Sequence, residues 1–301
     1  MATEIINENF KKQIIFLLNN NWTGNHDMYF PLQNAINIER KHIFKLFNYR
    51  YIFYIKDTVN TKRALLFLFK NATGENISVI VFKDLSVYKI ELDTLDEYFN
   101  GSIFEISYTD KFFTFYDAFM ISGNKINYQT FEERISEVDI MLSNTIVKDF
   151  TFKILSYSED IKHFKNLSDD EEIFMLPANL PILTGINFSF FKWKPVEKIT
   201  FCLQTLEEDN NLILLSSNFK KLIKFAKIHS NSFDGSEYIK RIKGLEDYKS
   251  NCIIEINVEF PEGKIVIKRV NTEKNYPTSI RLIEKVLFIK HEKITFNELY
   301  M

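Results

Sequence analysis

The stretch Phe190–Leu203, FFKWKPVEKITFCL, decides how the chain is divided. Its first half alternates as a strand does, so Lys192 and Lys194 share one face and Trp193 takes the other. Pro195 ends that strand, because proline has no N–H for a ladder. A new β-rich run starts at Ile199. Two lysines two residues apart beside a cleft suit a polyphosphate, each ammonium being a compact charge. The plainer alternative is an amphipathic strand with exposed lysines.

Upstream of this boundary, Ile38, Ile43, Leu46 and Phe47 fall on one helical face. β-rich runs follow at Tyr51–Ile55, Ala64–Phe69, Ile77–Phe82, Val87–Leu92, Ser102–Tyr108 and Phe112–Phe119, with a turn cluster at Asn71–Asn76. Glu132–Leu142 reads as an amphipathic helix and 157–172 as polar helix and loop. Downstream, strands are expected at Ile199–Leu203, Leu212–Leu215, Cys252–Glu259 and Lys264–Val270. A helical insert is expected at Asn218–Lys227 and a closing helix at Ser279–Lys290. The pattern predicts an α+β protein, with a mixed domain over 1–195 and a β-barrel carrying a helical insert and C-terminal helix over 196–301.

Composition narrows the function classes. The 301 residues are 46% hydrophobic and 26% charged with net charge −2, which excludes a disordered chain and an overall basic nucleic-acid coat. The aromatic content, Phe 30 and Tyr 14, accords with AT-rich coding and indicates no function by itself. Cys202 and Cys252 cannot form a cysteine zinc site on their own and suit a reducing compartment. The opening MATEIINENFKKQ does not read as a signal peptide, and Ala64–Phe69 is far shorter than the roughly 20 residues of a membrane span. An intracellular protein without membrane partners is expected. The five histidines show no ligand spacing. Lys220–Lys227, KKLIKFAK, reads as a basic helix face, either solvated or contacting RNA or a partner.

FKWKP followed by KITF resembles motif V of the mRNA capping enzymes, the GTP–RNA guanylyltransferases. Further segments stand in that family's order. GSIFEISY (Gly101–Tyr108) resembles motif III and FFTFYDAFMISGNKI (Phe112–Ile126) motif IIIa. SDDEEIFM (Ser168–Met175) stands at motif IV, and KRVNTEKNYPTSIRLIEKVL (Lys268–Leu287) at motif VI. The likeness runs from about residue 30 to 301. It implies an ATP-grasp-like nucleotidyltransferase domain of the capping and ligase kind, closed by an OB-fold lid. It also implies a lysine that takes GMP from GTP, with Mg or Mn on the phosphates, and passes it to a 5′-diphosphate RNA end.

The motifs are altered where that chemistry is concentrated. Motif I falls in YIKDTVNTKR (Tyr54–Arg63), where Thr58 occupies the ungapped nucleophile position; Lys56 is the nucleophile only if the loop carries two extra residues. Asn60 and Thr61 replace its aspartate and glycine. Motif III reads Glu105, Ile106 and Ser107 in place of D-G-E. Motif IV keeps an acid, Asp170, as the candidate metal ligand, with Glu171 in place of glycine. Motif VI reads Arg269, Asn271, Glu273 and Lys274, one arginine short. Arg63, Phe113, Phe115, Asp117, Lys192, Lys194, Arg269 and Lys274 remain. By the resemblance, all but Asp117 are the candidate nucleotide-binding set, and Phe113 or Phe115 stacks guanine. For both rings, core packing is the alternative.

These readings favour a catalytically degenerate guanylyltransferase-like protein. It would act as a binding, scaffold or regulatory subunit of a capping or transcription complex, with the RNA 5′ end as a possible ligand. The site of action would be the nucleus or a viral or cytoplasmic transcription site. The alternatives are an active guanylyltransferase using Lys56 and, less well supported, a polynucleotide ligase.

Overall fold

The computed structural model describes residues 3–24, 30–57, 61–109, 112–146, 150–167, 171–194, 198–219, 221–259, 264–272, 274–291 and 294–300. It divides into two compact units, 1–195 with 296–301, and 196–295. No described helix is long and apolar enough to cross a membrane.

The first unit runs β1 (Thr3–Glu4), α1 (Glu8–Thr23), β2 (Gln33–Asn37), α2 (Arg40–Asn48), β3 (Tyr51–Asp57), β4 (Lys62–Lys70), β5 (Asn76–Phe82) and β6 (Val87–Ile90). It continues through β7 (Ser102–Tyr108), β8 (Phe112–Ile121), β9 (Asn124–Lys125), α3 (Phe131–Ser143), β10 (Thr151–Ile154), β11 (Tyr157–Ser158), β12 (Glu171–Pro177) and β13 (Gly185–Trp193). One sheet has the order β1-β6-β5-β4-β7-β8-β10, with β9 on β8; the other is β11-β3-β12-β13-β2.

The apolar run of β4 is explained by its central place. Leu66 and Leu68 enter one core with Phe104, Ile106, Val138 and Met141, while Leu65 and Phe67 enter another with Ile14, Ile15 and Leu18 of α1. A strand buried on both faces needs no polar alternation. Helix α3 begins in a capping box: Thr130 caps the Glu133 N–H and the Glu133 side chain reaches back. Phe131 and Ile135 of this helix join a third core with Tyr54, Phe174 and Phe190 of the five-stranded sheet, whereas Val138 and Met141 serve the larger one. Helix α1 has no counterpart in the sequence expectations. Its ends carry an Asn7 cap and a left-handed Gly24.

The second unit runs β14 (Lys198–Glu208), β15 (Asn211–Asn218), β16 (Lys221–Ile228), α4 (Phe233–Lys243), β17 (Ile253–Glu259), β18 (Lys264–Val270) and α5 (Ile280–His291). Its sheet order is β16-β15-β14-β17-β18. Among the described residues this path is open, so the expected closed barrel is not seen. The core gathers Phe201, Leu203, Leu212, Leu214, Ile254 and Ile256 with Ile242 of α4 and Ile283 of α5.

Two expectations need correction. The helix expected over 218–227 is not found among the described residues: 221–228 form an edge strand paired with β15. Leu222, Phe225 and Ala226 have helical spacing, but a register shift at Leu214/Leu215 absorbs one residue and lets Phe225 and Ala226 both reach the core. The helix comes later, capped by Ser232. The tail also leaves the second unit. Phe296 packs 5.7 Å from Trp193, ring to ring, and 296–301 joins the first unit.

Candidate functional site

The side chains of β3, β12 and β13 that face the eight-stranded sheet build the site. Lys56 of β3 is paired in register with Glu172 of β12, so both project from one face. Phe174 is paired with Lys192 of β13, which adds Lys192 to that face. Glu172 accepts from both motif lysines, at 3.3 Å from Lys192 Nζ and 3.1 Å from Lys194 Nζ. Trp193 belongs to the opposite face.

Lys56 is nearly enclosed. Its Nζ lies 4.4 Å from the Tyr116 ring centre, 5.0 Å from Phe174 and 5.6 Å from Tyr54. It donates to Glu105 Oε1 of β7 at 2.7 Å, so the contact ties one sheet to the other. Arg63 Nε donates to the same oxygen at 2.8 Å, and Arg63 Nη2 donates to the Gln33 carbonyl of β2 at 2.7 Å. Glu105 thus has two cations on one oxygen. Burial alone would raise its carboxyl, but Arg63 and Lys56 outweigh it and hold the group at about 2. Burial pushes the Lys56 amine down to about 8, against the opposing pull of Glu105.

A second buried pair stands beside the first. Asp117 of β8 is the register partner of Glu105. Arg134 of α3 grips it with two bonds, Nε to Oδ1 at 2.7 Å and Nη2 to Oδ2 at 2.9 Å. The Ala118 N–H also donates to Oδ1 at 2.9 Å. Desolvation still leaves the Asp117 carboxyl above its ordinary value. Arg134, Asp117, Glu105 and Lys56, all buried, form with the partly exposed Arg63 a row of three cations and two anions. The excess positive charge, with Lys192 and Lys194 alongside, favours an anionic ligand. The site offers a metal ion little: Glu105 and Asp117 of the row, and Glu172 beside it, are each already engaged by cations. No group of three or more His, Cys, Asp or Glu suited to a metal is found among the described residues.

Lys56, Arg63, Lys192 and Lys194 are therefore brought around one set of strands. Phe113 and Phe115 are not: both are fully buried in the core of the larger sheet, packed edge-on against Phe152. The core-packing alternative describes both rings, and neither presents a face for stacking a base. Arg269 and Lys274 belong to the second unit. Arg269 lies 3.4 Å from Glu255, and the Lys274 backbone N–H donates to Asn271 Oδ1 at 3.0 Å. Thr58 and Asp170 lie outside the described residues. Sequence reasoning missed Glu172, Tyr116 and Arg134. Glu172 stands two residues before Phe174 on one face of β12, a spacing that the sequence carries. Arg134 stands three after Phe131, on the buried side of α3.

No family model matches the sequence. Among solved structures the chain is similar to the ATP-dependent DNA ligase of bacteriophage T7 in complex with ATP: 11% identity, TM-score 0.39, covering 80% of this chain and 98% of that one. It is also similar to the Chlorella virus DNA ligase-adenylate, at 9% identity and TM-score 0.32 over 81% and 99% of the two chains. A third likeness is to the ligase domain of LigD from M. tuberculosis, at 9% identity and TM-score 0.33 over 81% and 94%. Identities this low assign no residue a role.

Proposed function

We propose that the chain is a capping-enzyme-like nucleotide-binding protein that holds a triphosphate, GTP, without forming a lysine–GMP bond. It would serve as a scaffold or regulatory subunit in mRNA capping or transcription, with an RNA 5′ end within its range of ligands. The Lys56–Glu105 pair carries this reading. An amine attacks phosphorus only through a free lone pair. Glu105 is ionised at any physiological pH and engages the Lys56 amine at 2.7 Å, opposing the fall that burial causes, while three aromatic rings wall the amine in. Binding is a separate matter. Lys192 and Lys194 share a single carboxylate, so one positive charge remains for a phosphate. Mg or Mn would enter with the triphosphate, with Asp170 as the acid the resemblance offers for it.

The test is incubation with labelled GTP and divalent metal. Denatured protein should carry no label, while native protein should melt at a higher temperature with GTP. At a hundredfold excess over Kd the stabilisation is about 2.7 kcal/mol. Replacing Lys192 and Lys194 by alanine should remove it. A melting temperature unmoved by millimolar GTP and metal would end the nucleotide-binding claim.

One observation favours a second reading, an active guanylyltransferase using Lys56: burial brings that amine down to about 8, where a useful fraction is unprotonated near neutrality. GMP found on the Lys56 peptide by mass spectrometry, and lost in Lys56→Ala, would establish it.

A further inference from the structure

Helix α2 exposes its aromatic side chains. Its buried residue is His42, which stacks on Phe191 at 4.8 Å, with Lys45 Nζ 5.7 Å from the same ring. Phe44 and Phe47 are 56% and 51% exposed, and Tyr49, just past the helix, is 61% exposed. Phe44 and Phe47 are one turn apart and so neighbours on the helix surface. Arg40 and Lys41 stand four and three positions before Phe44, on the same side. From 40 to 51 the sequence reads RKHIFKLFNYRY, with four Lys or Arg and no acidic residue.

The carboxylates facing these cations come from outside the helix. Arg40 meets Glu298 at 2.8 Å, Lys41 meets Glu39 at 2.5 Å, and Arg50 meets Glu132 and Glu159. Arg40 and Lys41 are themselves more than half exposed, and surface pairs of this kind are worth little, so a phosphate can compete for these two cations. Lys45 contacts a carbonyl, that of Phe188, at 3.5 Å, and no carboxylate among the described residues.

We propose that this face of α2 docks single-stranded RNA. Bases stack on Phe44, Phe47 and Tyr49, and phosphates meet Arg40, Lys41 and Lys45. Exposed rings interleaved with cations are what a sequence-tolerant single-strand surface requires, since every base has a π-face and every nucleotide a charge. An apolar protein segment would cover the rings but leave Lys45, which meets no carboxylate among the described residues, without a countercharge, which disfavours that occupant. The choice of RNA rests on the reading of the nucleotide site given above; the surface itself is separate from that site.

The test is fluorescence anisotropy with a labelled oligouridylate of about 12 nucleotides bearing a 5′-hydroxyl, without GTP, so that the nucleotide site is not engaged. Phe44→Ala/Phe47→Ala should weaken binding about tenfold or more. Arg40→Ala/Lys41→Ala should lower the slope of log K against log salt by about 1. Phe44→Leu/Phe47→Leu keeps the patch apolar but removes the rings, and should lose RNA binding as the alanine pair does. Melting temperatures and the GTP-induced shift should match wild type in all three. The proposal is overturned if the wild type does not bind the oligomer, if the ring variants bind it equally well, or if the salt slope is unchanged. Self-association of the wild type that the leucine pair preserves and the alanine pair abolishes would also overturn it, in favour of protein docking. Failure of the nucleotide reading looks different: no GTP shift, with RNA binding intact.

Discussion

Lys56 and Glu105 belong to different sheets of the first unit, and their side chains meet at 2.7 Å. Glu105 is the common partner of Lys56 and Arg63, whereas each cation has other contacts. Removing the carboxylate leaves two cations without it; removing the lysine leaves Glu105 still paired with Arg63.

Glu105→Gln should therefore be the more damaging change. Breaking a buried ion pair by deleting one partner costs about 3–5 kcal/mol. Lys56→Met should cost clearly less, since a flexible apolar chain suits the ring-lined position. Urea unfolding measures both. A Lys56→Met protein as unstable as Glu105→Gln would contradict the shared-anion arrangement.

The pH dependence has a definite sign at each end. The Glu105 carboxyl is lowered from 4.5 to about 2, so its stabilisation is present above about 4.5 and fades as pH falls toward 2. The stability advantage of wild type over Glu105→Gln should shrink across that window. Lys56 is lowered from 10.5 to about 8, so between those values the unfolded chain holds the extra proton and stability rises with pH. From pH 8 to 10.5, wild type should gain on Lys56→Met. A difference that stays flat with pH would count against the amine's burial.

Arg134 is fully buried and bonded twice to Asp117. Arg134→Met alone should cost about 3–5 kcal/mol, because it strands a buried carboxylate. Adding Asp117→Leu should recover part of that loss. Additive single costs in a double-mutant cycle would show that the two groups do not act as a pair.

Glu172 restrains both motif lysines. Glu172→Gln should strengthen triphosphate binding by up to about fivefold, in proportion to the modest worth of ion pairs whose lysines are partly exposed. Weaker binding in thermal-shift titrations would mean that Glu172 orients the lysines rather than competing for them.

How much of this was legible in the sequence varied with the range of the interaction. The apolar run in β4, the amphipathic helix over Glu132–Leu142 and the Lys192/Lys194 alternation are local signals, and periodicity carries them. The edge strand at 221–228 was hidden because a bulge gave its apolar residues helical spacing. Lys56 and Glu105 are 49 residues apart and meet through sheet packing, which leaves no trace in spacing. Phe113 and Phe115 have the same composition whether they stack a base or fill a core; their place on a doubly covered sheet makes them core.

The return of 296–300 to the first unit bears on the order in which the chain matures during synthesis. Leu299 is buried and Phe296 lies against Trp193, yet a hundred residues, 196–295, separate these partners from the rest of their unit. A ribosome releases the whole second unit before the segment that covers Trp193 emerges. A fragment stopped at residue 195 would lack the ring that packs on that indole, so the first unit reaches its full packing only once residues 296–300 have been made.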